Sequence, residues 1–109
     1  MRKCSITIKD KEYTIQVNRE SVMWLESNGF DITEFDKKPL TYIELLWTAG
    51  FIMNHNEVNP NLALKLMDSF VEEGGDVSEI AKFVIEEYQS FINALSVTNS
   101  KKKITITEI

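Results

Sequence analysis

The chain has 109 residues, 43% of them hydrophobic and 27% charged, and a formal net charge of −5. That length is ordinary for one domain with a modest core, and no apolar run approaches what a bilayer-spanning helix requires. The start, Met1-Arg2-Lys3-Cys4, leads into alternating residues rather than the unbroken apolar stretch of a signal peptide. A single cysteine permits no intrachain disulfide, and both features favour a reducing cytoplasm.

The charge is unevenly placed. Between Leu62 and Leu95 seven acids (Asp68, Glu72, Glu73, Asp76, Glu79, Glu86, Glu87) face only Lys65 and Lys82, whereas the tail carries Lys101, Lys102 and Lys103. An acidic half repels phosphates, so neither nucleic acid nor membrane is expected as a partner. The simpler account of the acids is a solvated helix face.

Cys4, Ile6 and Ile8 alternate with Ser5, Thr7 and Lys9, and Tyr13, Ile15 and Val17 alternate with Thr14 and Gln16. This period of two predicts a β-hairpin turning at Asp10-Lys11. An isolated hairpin is marginal in water, so its apolar face must rest on later segments of the chain. Asn18 is placed to cap a short helix carrying Val22, Met23 and Leu25, which Asn28-Gly29 ends. Phe30 to Lys38 reads as a connector pinned by Phe30, Ile32 and Phe35.

Thr41 and Glu44 have the spacing of a capping box, with Leu40 and Leu45 at the staple positions, and predict a helix over Tyr42 to Asn54. Of the twelve residues from Tyr42 to Met53, nine are apolar, and only Glu44 and Thr48 are polar. Such a helix is buried on most sides. Gly50 in its interior, costing about 1 kcal/mol against alanine, implies close packing or a bend. Trp47 and Phe51 lie a turn apart beside the polar strip. Either they are core residues beneath the hairpin or the connector, or their side exceeds what the chain itself can cover and serves a partner.

Asn59-Pro60 predicts the start of a third helix, with Leu62, Ala63, Leu66, Met67, Phe70 and Val71 as its apolar stripe and Gly74-Gly75 as its stop. Asp76 and Glu79 open a fourth, in which Val77, Ile80, Ala81, Val84, Tyr88, Phe91, Ile92 and Leu95 repeat at helical spacing. Phe83 falls among Glu79, Glu87 and Ser90 instead, covered by the hairpin or exposed for a partner. The expected partner-binding residues are therefore Trp47, Phe51 and Phe83. Residues 96–109 read as a flexible polar tail; its Ile104-Thr105-Ile106-Thr107 alternates like a strand able to join the hairpin edge or a partner. The fold class is mainly α with an N-terminal β-hairpin (α+β), about four helices in one domain spanning residues 1–95.

Catalytic chemistry finds little support. His55, the one histidine, has no companions at ligand spacing and reads as a structural residue near a helix end. Cys4 behaves as a small hydrophobe on a strand. Asp31, Glu34 and Asp36 lack the alternation, turn glycine and closing glutamate of an EF-hand loop. No nucleophile elbow or phosphate-cradling loop is present. No enzyme activity, metal or cofactor is expected.

The order of segments, from ITIKDKEYTIQV through RESVMWLE and LTYIELLWTAGFIMNHNEVNP to LALKLMDSFVEEGGDVSEIAKFVIEEYQSFINAL, resembles the tail assembly chaperones of long-tailed phages and prophages of Gram-positive hosts. The resemblance spans Ile6 to about Leu95 and rests on order, spacing and size rather than on one motif. The Asp10-Lys11 turn lacks the glycine often present in the family's hairpin. The resemblance implies a host-cytoplasmic protein, absent from the mature virion, that keeps the tape measure protein soluble and recruits tail tube protein subunits. It also implies a possible programmed frameshift near the gene's end. Lys101-Lys102-Lys103 permits an A-rich slippery site, the plain alternative being a solubilising tail. Homo-oligomerisation stays open. The rival readings are a structural head–tail connector or tail terminator, and a small acidic inhibitor or antitoxin of a basic partner.

Overall fold

A computed structural model of the chain describes residues 2–95 and Thr107. The tail expectations, a slippery lysine run and a strand over Ile104–Thr107, thus fall, Thr107 apart, outside the described residues. Two antiparallel strands, β1 (Lys3–Ile8) and β2 (Lys11–Gln16), precede α1 (Arg19–Ser27), a 3₁₀ turn (Ile32–Lys37), α2 (Pro39–Ala49), α3 (Pro60–Glu72) and α4 (Val77–Ala94). The expected α+β class is the one observed: an N-terminal hairpin and then helices.

The hairpin turns one residue earlier than expected. Ile8 pairs with Lys11, which leaves Lys9 and Asp10 as the central residues, with φ of 50° and 67°. This is the primed turn whose twist matches the strands. Aspartate tolerates the left-handed region; lysine does so at a cost. The Lys9 N–H donates to the Glu73 carboxylate at 2.7 Å, which ties the turn to the end of α3.

Local signals place most helix ends as expected. Asn18 accepts from the Ser21 N–H at 3.0 Å while Ser21 Oγ accepts from the Asn18 N–H at 3.2 Å, and Gly29 takes φ 82° beyond the helix end. Asn59 caps α3 through the Leu62 N–H, and Asp76 caps α4 through the Ser78 N–H. Asp31 accepts from the Thr33 hydroxyl and N–H at the 3₁₀ turn, which holds its carboxyl below the usual range.

Helix α2 departs from expectation at both ends. It begins at Pro39, where a missing N–H costs nothing, so Thr41 lies within the first turn and caps nothing, and Leu40 is exposed. It closes at Ala49 rather than Asn54: the Phe51 and Ile52 N–H groups turn to the Thr48 and Ala49 carbonyls, three residues back, and the Gly50 carbonyl accepts from the Gln16 N–H at 3.1 Å. Residues 51–54 continue as turns.

The core lies between the hairpin's inner face and the helices. Ile6, Ile8, Tyr13, Ile15 and Val17 meet Val22, Leu25, Leu46, Trp47, Phe51, Ala63, Ile80, Ala81 and Val84, all buried. At the centre sits Gly50. A Cβ there would stand 2.5 Å from Ile15 Cγ2 and 3.4 Å from Val84 Cγ2. The close approach inferred from sequence is therefore real, and its partners are the sheet and α4. Gly50→Ala is expected to lower stability by about 1–3 kcal/mol through overpacking, despite alanine's better helix propensity. Urea unfolding should show a reduced midpoint at unchanged slope.

Candidate functional site

His55 is placed by the turn after α2. Its Nε2 accepts the Thr14 N–H of β2 at 2.9 Å, so the proton of the neutral ring resides on Nδ1, 3.4 Å from the Glu57 carboxylate. The ring lies edge-on to Tyr13 at 5.1 Å. The imidazole closes a strand edge, and with both nitrogens engaged it is not poised as a base. Cys4 is half-buried on β1. Among the described residues, no group of three or more His, Cys, Asp or Glu side chains could hold a metal ion.

Two of the three expected partner contacts are withdrawn into the core. Trp47 and Phe51 are both 0% exposed. The Trp47 indole N–H donates to the Ala63 carbonyl at 2.7 Å, and its ring packs against Phe51 and Phe70. Phe51 in turn meets the edge of Tyr13. Helix α3 and the hairpin cover the side that α2 alone leaves apolar, so neither residue presents a surface. Phe83 is half-buried, under the Arg2 guanidinium at 5.3 Å and beside Cys4.

One buried acid escaped the sequence reading. Glu87, 7% exposed, accepts from the Arg2 backbone N–H at 2.9 Å and from Arg2 Nε at 3.0 Å, while Arg2 Nη2 reaches Glu86 at 3.3 Å. The hydrogen bond to Glu87, then that to Glu86, raises the guanidinium's pKa above its ordinary value. Helical spacing assigns Glu87 to the solvated face; its contact with Arg2, just before β1, is one that no local pattern carries.

An apolar groove of about 270 Å³ lies between the 3₁₀ turn, α2 and α4. Phe35, Ile43 and Leu46 form one wall, Ala81 and Ile85 the other, with Ser78 and Lys82 also lining it. Phe35, Ile43 and Ile85 are half-buried. The apolar stripe of α4 signals Ala81, but a groove between two helices needs their relative placement, which no local pattern carries. A second hollow, between α1, α2 and the start of α3, is lined by Trp24, Leu45, Pro60 and Leu64 together with Asn28, Thr41, Glu44 and Thr48.

Fold and site thus define a small α+β protein whose surface offers apolar grooves, with its histidine and buried glutamate committed to holding the hairpin. The chain belongs to the family described as Domain of unknown function (DUF5055), whose profile matches residues 1–108. No curated protein and no solved structure matches it. No helix among the described residues is long and apolar enough to cross a membrane.

His55→Ala removes the acceptor for the Thr14 N–H and the edge contact to Tyr13; a loss of about 1–2 kcal/mol is expected. His55→Phe, which restores the ring but not the acceptor, should recover only part of it in thermal unfolding. Arg2→Ala is expected to destabilise more than Glu87→Gln, because it leaves a covered carboxylate without its counter-charge and with only the residue-2 N–H as donor, whereas the amide keeps an acceptor for that N–H and introduces no unpaired buried charge.

Proposed function

We propose that this chain is a phage tail assembly chaperone that binds the tape measure protein and recruits tail tube subunits, acting in the host cytoplasm and absent from the finished virion. The order of hairpin, short helix, apolar helix and paired long helices supports the family resemblance. The observation that carries the binding role is the groove between α2 and α4. Two helices with an apolar trough between them accept a third through anchors spaced at helical intervals, and a long helical client offers such anchors repeatedly. The groove's half-buried Phe35, Ile43 and Ile85 give apolar contact without a fixed polar constellation, which suits holding a client rather than transforming it.

The acidic surface of α3 and α4 serves solubility in this reading. It keeps the complex dispersed while the groove covers apolar positions on the client.

Co-expression with the tape measure protein of the same phage provides the test. Ile43→Ser and Ile85→Ser, each with its circular dichroism unchanged, are expected to weaken client binding by about ten- to thirtyfold, the loss typical of an interface anchor. Soluble client should fall towards its level without the chaperone. Undiminished client solubility with both variants would sink the groove as the binding site. Recovery of the chain in purified particles would sink the chaperone reading in favour of a virion component.

A further inference from the structure

The two edges of the hairpin are treated differently. Across a two-residue turn, Ile8 and Lys11 exchange hydrogen bonds, as do Ile6 with Tyr13 and Cys4 with Ile15, by the alternation of an antiparallel ladder. The backbone groups of the intervening residues point outward. On β2 two of the three outward N–H groups are taken: the Thr14 N–H donates to His55 Nε2 and the Gln16 N–H to the Gly50 carbonyl. On β1 they belong to Lys3, Ser5 and Thr7, all exposed, and no element among the described residues pairs with them. Such an edge is ordinarily blunted by proline, a bulge or inward charge. Here β1 has no proline, its register with β2 runs unbroken from Lys3 to Ile8, and its inward residues are Cys4, Ile6 and Ile8.

We infer that β1 pairs with β1 of a second copy, antiparallel about a two-fold axis at Ser5, to make a continuous four-stranded sheet. The strand is complementary to itself in this register. Ser5 meets its own counterpart, and Lys3 meets Thr7, so no like charges stand opposite each other. Lys3 then lies two strands from Glu12 of the other copy, because Glu12 is the β2 neighbour of Thr7. The apolar side continues as well: Cys4 and Phe83, both half-buried, line a hollow of about 300 Å³ on α4, with Ile80 beneath and Glu79, Lys82 and Glu86 around them. The rim carries both signs, so a second copy meets no uniform repulsive field. Isologous pairing of this kind closes at two copies and covers the β1 edge of both.

Sedimentation of the full chain at submillimolar concentration should show a dimer, and amide exchange at Ser5 and Thr7 should slow as concentration rises. Ser5 is exposed, so a charge there spares the fold while placing like charges together on the axis. Ser5→Lys alone and Ser5→Glu alone are each expected to weaken the dimer by about fivefold, with circular dichroism unchanged. An equimolar mixture of the two should restore it. A monomer with fast exchange at Ser5 and Thr7 would overturn the proposal. So would slow exchange at every concentration, which would assign the edge to a segment of the same chain, or a dimer indifferent to both charges, which would place its interface elsewhere. None of these readouts involves a phage client, so they stand or fall apart from the chaperone reading.

Discussion

A two-stranded hairpin has too little surface of its own to persist in water, and the closeness of its seat on the helices depends on the absence of a side chain at Gly50. Ile15 enters that gap to within van der Waals reach of the helical backbone, and the Gly50 carbonyl leaves α2 to meet β2. Both events take place at one residue. The helix therefore ends where the sheet begins to bind it, and the turns after it carry His55 to the next outward-facing N–H of β2. Core burial of Trp47 and Phe51 is a consequence, because the hairpin supplies Tyr13 as the lid on one side and α3 supplies Phe70 on the other.

Carboxylates on the C-terminal half hold the hairpin at its ends. Glu73 takes the N–H at the turn, and Glu87 takes the N–H and guanidinium of Arg2. The acidic character of α3 and α4 is thus partly structural: Glu73, Glu86 and Glu87 accept hydrogen bonds from Lys9 and Arg2, at the two ends of β1. The remaining acids face water and give the surface its sign.

Elements announced by local chemistry were legible in the sequence. Alternation marked the strands, and Asn18, Asn59-Pro60, Gly74 and Asp76 marked helix ends, because capping needs only residues near in sequence. Signals that competed or acted at a distance were not. Thr41 read as the cap of α2, but the helix starts two residues earlier at Pro39. The end of α2 coincides with a hydrogen bond to a strand thirty-four residues earlier, Gly50 to Gln16. Glu87 looked solvated by its spacing but is buried and accepts from Arg2, eighty-five residues earlier. Trp47 and Phe51 read as a turn apart and their rings do meet, although Phe51 lies beyond the end of α2, but whether they face water depended on α3 and the hairpin. Only Phe83, of the three expected contacts, keeps an exposed part, and the groove at Ile43 and Ile85 came from helix placement alone.

The hairpin's anchors also impose an order on synthesis. The strands leave the ribosome before the helices, with Ile6, Ile8 and Ile15 forming an apolar face, yet the carboxylates that hold their ends, Glu73 and Glu87, follow their partners by 64 and 85 residues. Contacts so distant along the chain form only after the intervening helices exist. During translation the unpaired strand edge and its apolar face are open together, which is the combination most prone to capture by other nascent chains. Release of the final turns of α4 ends that exposure in one step, so the vulnerable interval is set by how quickly the last third of the chain is made.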